Sequence, residues 1–504
     1  VATVANVLVA LAASGHALLR KRDPRAAVAW VGLIWLSPVI GAVAYVLFGI
    51  NRIRRKAAAL QRARVASHTR APARTTAVAA PAAPSSLPMP SGSHASPGRP
   101  GRDDAGLGDA TGIASIVPQV PAPFAALAHA TDRLVGLPMT GNNRVELLEN
   151  GDAAYPAMLD AIARAERSVA LATYIFDEDR AGARFRKALA DARKRGVDVR
   201  VLIDAVGMRY SFPPSTYRLR REGVTVATFL PTFVPFATPF LNLRNHRKIL
   251  VVDGKLGFTG GMNIREGHVL GDAPKHPVKD LHFRLEGPIV AQLMTTFAED
   301  WAFTTGESLS GPTWFPPLES AGSTLARALP DGPDDDFEVL RFTLLAALAH
   351  ARRRVQIMTP YFLPDPALMT AMNVAALRGV AVDVVLPAES NIKLAQWAST
   401  AMLWQILERG CRVHLTPPPF DHSKVFVVDD AWALVGSANW DPRSLRLNFE
   451  LGVECYDEVL ARELGALVDA RIAQGRTITL AEVDARPFPI RVRDGVAKLF
   501  APYL

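Results

Sequence analysis

The strongest constraint on this chain is a duplication. The stretch AIARAERSVALATYIF, followed by AGARFRKALADARKRGVDVRVLID, is echoed by ALAHARRRVQIMTPYF, followed by PALMTAMNVAALRGVAVDVVLP. Each copy reads as a helix, a short β-rich run, a second helix closed by Gly196 or Gly379, and another apolar strand. Glycine just past a helix suits the left-handed position there. Alternating helices and strands predict an α/β layered sheet covered on both faces. Alone, such a repeat is compatible with a structural duplication that carries no chemistry.

The motif closing each copy supplies the chemistry. The first reads NHRKILVVDGKLGFTGGMN from Asn245 to Asn263, and the second reads DHSKVFVVDDAWALVGSAN from Asp421 to Asn439. His246, Lys248, Asp253 and Asn263 thus match His422, Lys424, Asp429 and Asn439. One H-x-K-x₄-D arises easily by chance; two, with matching Gly-rich tails in duplicated surroundings, do not. ILVV and VFVV read as strands, and His and Lys two residues apart share one face of a strand. Attack on a phosphodiester needs a nucleophile, an acid for the leaving alkoxide and fixed positive charge around the phosphate. Two facing motifs provide these: two imidazoles, then Lys248 and Lys424 as point charges. Asn263, Asn439, Ser437 and the backbone at Gly260–Gly261 and Gly436–Ser437 are expected to donate to the phosphate. Asp253 and Asp429 are candidate catalytic residues, with loop anchoring as the equal alternative. The residue set implies no metal and no cofactor.

Here the sequence resembles the phospholipase D superfamily, whose hallmark is this doubled motif, from about Asn142 to the C-terminus. NLRNHRKILVVDGKLGFTGGMNI, the ending FDHSKVFVVDDAWALVGSANWDPRSLRLNFELGVE and the apolar N-terminus are most similar to bacterial cardiolipin synthases. The resemblance implies two duplicated phospholipase D-like domains, each a mixed β-sheet flanked by helices, with the active site at their pseudo-two-fold interface. It implies His246 as nucleophile, forming a phosphohistidine, and His422 as acid and base; sequence alone leaves the reverse assignment open. It also implies an acidic residue orienting each imidazole, for which Asp280 in KDLHFRLEGP and Glu450 in NFELGVE stand in parallel positions. The expected reaction joins two phosphatidylglycerols and releases glycerol. Alternatives are a hydrolytic phospholipase D, a phosphatidylserine synthase-like transferase, a phosphodiesterase or nuclease, and a scaffold with a decayed site. Nucleic acid is not an expected partner, because the catalytic region lacks basic patches interleaved with aromatics. One departure bears on acceptor preference: after Asn263 the chain reads IREGH where many such synthases carry an acidic segment.

The N-terminus places the chemistry at a membrane. Ala26–Ile50 is uncharged and long enough to cross a hydrocarbon core of roughly 30 Å. Val1–Leu19 reads as a weaker first span or a signal peptide. Residues 1–50 are therefore expected to be an anchor of one or two transmembrane helices, 51–120 a basic segment and disordered linker, 121–325 the first catalytic domain and 326–504 the second. The flank NRIRRKAAALQRAR and a net charge of +9 favour anionic phospholipids as partners and an inner-membrane location with the catalytic domains cytoplasmic. Two cysteines, Cys411 and Cys455, are too few for a disulfide framework. The segment Phe229–Leu243, with Phe229, Phe233, Phe236 and Phe240 among prolines, reads either as an interfacial loop dipping into lipid or as an irregular stretch over the core. His268, His276 and His282 flank the first motif and are weaker substrate candidates. Tyr174 and Tyr361, at matched positions, read as core; Asn391, Gln396 and Trp397 are weighed for an acceptor pocket without being assigned.

Overall fold

The computed structural model describes residues 2–21, 24–46, 120–231, 243–333 and 338–501. The expected linker and basic segment, and most of the Phe-rich segment, lie outside the described residues. In the first copy the strands are β1 (Thr140–Glu149), β2 (Ser168–Thr173), β3 (Asp198–Asp204), β4 (Thr225–Phe229), β5 (Ile249–Val252), β6 (Leu256–Gly260), β7 (Val278–Lys279) and β8 (Leu281–Glu286). In the second they are β9 (Thr324–Asp331), β10 (Arg354–Met358), β11 (Ala381–Pro387), β12 (Arg412–Thr416), β13 (Phe420–Asp421), β14 (Val425–Val428), β15 (Trp432–Gly436), β16 (Glu450–Tyr456) and β17 (Arg476–Ile478).

Fifteen of these strands form one sheet, in the order β17-β12-β11-β10-β14-β15-β16-β9-β1-β8-β6-β5-β2-β3-β4. Outward from the β9–β1 seam the two halves repeat the same order, with β17 added at one edge. This is the duplicated mixed sheet expected of two phospholipase D-like domains. Within each half, β2-β3-β4 and β10-β11-β12 pair in parallel, as helical crossovers require, while the motif strands β5-β6 and β14-β15 pair antiparallel. Gly196 (φ 93°) and Gly379 (φ 90°) occupy the left-handed position that lets each crossover helix turn into its next strand.

Helices cover both faces. Ile289–Thr305 and Glu458–Gln474 pack on one face over a core drawn from both halves, including Ala170, Leu202, Val251, Phe297, Val385, Val427 and Leu464. Each half has its own core on the opposite face. The all-apolar runs ILVV and VFVV are buried at every position because both faces of the sheet are covered there.

The apolar run near the N-terminus is interrupted at Ser37. Ala26–Ile50 is not one uninterrupted helix: Pro24–Leu36 ends at Ser37, and Pro38–Ala44 starts a second piece, since Pro38 has no N–H to continue the ladder. Among the described residues no helix is long and apolar enough to cross a membrane. These pieces pack with Ala2–Arg20 around Ala10, Ala17, Ile34 and Tyr45, whose hydroxyl lies 2.8 Å from His16 Nδ1. The outward surface is apolar, with Leu8, Leu11, Leu19, Trp35, Leu36 and Ile40 exposed.

Candidate active site

Two short backbone contacts bring the motifs together, and both cross between the halves. The N–H of His246 donates to Phe449 O at 2.9 Å, and the N–H of His422 donates to Lys279 O at 2.8 Å. A parallel bridge Asn245–Phe449 and the two-stranded β7–β13 sheet flank these bonds. Phe449 and Lys279 immediately precede the two candidate carboxylates. Each histidine is therefore delivered to the carboxylate of the other half. His246 Nδ1 lies 3.0 Å from both Glu450 oxygens, and His422 Nδ1 lies 2.8 Å from Asp280 Oδ2. Parallel sequence positions suggested the carboxylates but not this exchange. With Nδ1–H donated backwards, Nε2 of each ring is left as the reactive nitrogen.

The carboxylates differ. Glu450 also accepts from Ser437 Oγ at 2.5 Å and from Asn448 Nδ2 at 3.0 Å. Burial pushes its carboxyl up, but His246, Lys248 and Ser437 together hold it below the usual glutamate range. Asp280 is fully buried against Gly261, where a Cβ would stand 2.1 Å from Asp280 Oδ1. The shorter carboxylate faces the glycine and the longer one the matching serine.

Both lysines are buried. Burial lowers Lys248 to about 7 and Lys424 to about 8, each with the other amine or nearby carboxylates acting on it. Lys248 Nζ donates to His246 O at 2.7 Å, and Lys424 Nζ reaches His422 O and lies 2.8 Å from His422 Nδ1. The imidazoles are also shifted. His246 is lowered by burial against the pull of Glu450, and His422 lies well below the ordinary value through burial and the charges of Lys424, Lys248, His246 and Arg265.

Other expected residues land elsewhere. Asp253 accepts the backbone N–H groups of Glu166, Arg167 and Ser168, and Asp429 accepts those of Arg352, Arg353 and Arg354. Both therefore pin the turn entering β2 or β10 and have no contact with the histidines; the anchoring alternative is the one observed. Ser437 is spent on Glu450 rather than facing a phosphate. The N–H groups of Gly261 and Ser437 are used by Leu281 O and Leu451 O, so they are not free for substrate. Asn263 Oδ1 accepts from Ile175 N at 3.0 Å, while Asn439 Nδ2 donates to Ser444 Oγ at 3.2 Å and its Oδ1 has no protein partner. The histidines and lysines precede β5 and β14 rather than lying on them.

His268 and His282 are buried and lowered by burial to about 3 and about 4, which keeps them neutral; of the three flanking histidines only His276 opens to solvent. Phe229 is fully buried against Phe303 and Phe449, so it belongs to the core and not to a lipid-facing loop. Burying such a ring contributes about 1.5–3 kcal/mol.

Two features of the site were missed in the sequence: the place of two tyrosines that read as core, and a pair of seam arginines. Tyr174 stands edge-on to His246 with centroids 5.4 Å apart, and Tyr361 stands likewise to His422 at 6.1 Å. Their matched repeat positions were the available signal. The second feature is a pair of buried arginines that lock the seam. Arg247 donates to Asp300, Glu450 O and Asp331 O, and Arg471 donates to Asp421 and Glu149. Neither has a basic counterpart in the other copy's motif (Ser423 replaces Arg247), so the repeat gave no hint of them.

Comparison with known proteins agrees with this architecture. The family model described as "Cardiolipin synthase, PLD-like domain" matches residues 158–301 and 344–471, and "Phospholipase_D-nuclease N-terminal" matches 8–49. The chain is 32% identical to Cardiolipin synthase A of Pseudomonas fluorescens over 98% of this chain and 96% of that protein. It is 33% identical to the major cardiolipin synthase ClsA of Bacillus subtilis over 72% and 76%, respectively. A crystal structure of phosphatidylserine synthase from Haemophilus influenzae shares the fold, with TM-score 0.59 at 17% identity, covering 75% of this chain and all of that one. The chain belongs to the cardiolipin synthase family of phospholipase D-like proteins.

Proposed function

We propose that this protein is a phosphatidyltransferase that makes cardiolipin from two phosphatidylglycerol molecules and releases glycerol. The observation that carries the reading is the reciprocal arrangement of His246–Glu450 and His422–Asp280, with Lys248 and Lys424 beside them. In the first half-reaction His246 Nε2 attacks phosphorus and the bond to the glycerol oxygen breaks. His422 gives that oxygen a proton, and glycerol departs. Ionised Glu450 offsets the positive charge on the phosphorylated ring. In the second half-reaction His422 takes the proton from a headgroup hydroxyl of the second phosphatidylglycerol. The resulting oxygen attacks phosphorus, and the P–N bond breaks. One phosphodiester replaces another, so no nucleotide is consumed.

The electrostatics suit this order. Neutral His246 is a competent nucleophile. His422 is held neutral partly by neighbouring cations, and a phosphodiester anion offsets those cations. Substrate arrival thus raises His422 toward its proton-carrying form.

The apolar exterior of the N-terminal helices and the basic sequence after them support membrane association, with the catalytic halves on the cytoplasmic face of the inner membrane. The test is to incubate the purified protein with phosphatidylglycerol and follow products by mass. Cardiolipin plus glycerol is expected, and His246→Ala or His422→Ala should each abolish it. Phosphatidic acid alone would replace this reading with hydrolysis.

A further inference from the structure

A cavity of about 610 Å³ opens between the halves, lined by Asp177, Arg265 and His276 from the first and Glu389, Asn391 and Phe420 from the second, among others. Two independent contacts tie it to His422 rather than to His246. The Phe420 ring, part of the cavity wall, lies 5.9 Å from the His422 ring. Asn391 Oδ1 accepts from the Tyr361 hydroxyl at 2.6 Å, and Tyr361 is the ring that stands edge-on to His422.

Set among Pro277, Val278, Pro418 and Phe420, the lining carries a group of polar side chains suited to a small polyol. Asp177 holds Arg265 at 2.9 Å and accepts from Ser211 Oγ at 3.1 Å, so one wall is a partly buried ion pair with spare lone pairs. Across it, Glu389 and Asn391 are exposed and offer acceptors and an amide donor. An acyl chain laid over them would strip their water without replacing it, at a cost of about 1–3 kcal/mol for each group left buried and unpaired. Several hydroxyls on adjacent carbons would satisfy them.

We infer that this cavity is the headgroup site, seating first the leaving glycerol and then the glycerol headgroup of the acceptor lipid, with Asp177, Glu389 and Asn391 reading its hydroxyls. The inference rests on the transferase reading, because it places the alcohol beside the residue that exchanges protons with it. It also gives the IREGH segment a role, since its Arg265 shapes this wall. A filled cavity excludes water from the phosphohistidine, which favours transfer over hydrolysis. Tyr361, hydrogen-bonded to Asn391, couples occupancy of the cavity to the position of the His422 ring.

The experiment is acceptor competition from the common intermediate, using the full-length protein in detergent. Phosphatidylglycerol is supplied with equal concentrations of isotopically labelled glycerol and 1-propanol, and labelled phosphatidylglycerol, phosphatidylpropanol and phosphatidic acid are counted. Their ratio reports the acceptor step alone, whatever fraction of a variant is folded. The unaltered protein should favour glycerol, since a site built for hydroxyls rejects an alcohol lacking them. Glu389→Gln and Asn391→Ala should each lower the glycerol-to-propanol ratio by about tenfold and raise the share of phosphatidic acid. An unchanged ratio in both variants would overturn the assignment of the cavity. Absence of any lipid product from the unaltered protein would instead remove the transferase reading beneath it.

Discussion

Lys248 and Lys424 are amines with almost no water around them, and their protonation decides whether the cleft attracts an anion. Their values near 7 and 8 lie below the ordinary lysine value because burial disfavours the charge. Below these values both are cationic; as pH rises through them the positive field is lost. Affinity for sulfate, which stays doubly charged throughout, should therefore fall by about tenfold or more between pH 6.5 and 9. Titration calorimetry on the detergent-solubilised protein measures this. A flat profile would mean that the lysines keep their protons. The carboxylates give a second residue-scale expectation. Glu450→Gln keeps the shape but removes the charge that balances the phosphorylated ring, so turnover should fall by at least about 10²-fold with the thermal melt little changed.

Among the secondary-structure elements, the turns entering β2 and β10 depend on Asp253 and Asp429. Each carboxylate collects three backbone N–H groups that would otherwise lack a protein partner. Asp253→Ala should cost about 3 kcal/mol of unfolding free energy, read from a denaturant or thermal melt, while the rate per folded molecule stays within about threefold. Loss of catalysis without loss of stability would return Asp253 to the chemistry. The sequence could not decide this, because duplication preserves anchors and reactive groups at identical spacing. Helices, glycine-closed crossovers and buried strands were legible, since their patterns are local. The break at Ser37 is only partly legible in Pro38, because a helix within a membrane tolerates proline when its freed carbonyl groups find partners.

At the scale of the whole molecule, the reciprocal pairing was only half visible. Asp280 and Glu450 could be picked out by parallel position, but which imidazole each serves depends on contacts made across the seam by residues far apart in the chain. Arg247 and Arg471, which hold that seam, break the repeat and so carried no signal. The exchange makes a prediction about leaving groups. Asp280 orients His422, the proposed acid, so Asp280→Asn should impair release of glycerol. A phosphodiester bearing p-nitrophenolate needs no acid, and Asp280→Asn should recover most of the burst of nitrophenolate with it. Glu450→Gln, which weakens the nucleophile's own support, should show no such recovery. Equal recovery in both variants would contradict the division of labour between the histidines.

That same exchange sets when the protein becomes reactive during its synthesis. The ribosome finishes His246 long before Glu450 exists, so the emerging N-terminal part carries an imidazole with no partner to fix its tautomer. Chemistry begins only after the final strands have been made and have closed against the first. On the roles proposed for these residues, a chain terminated before Glu450 should be inert toward lipid, so that the order of synthesis itself holds the chemistry back.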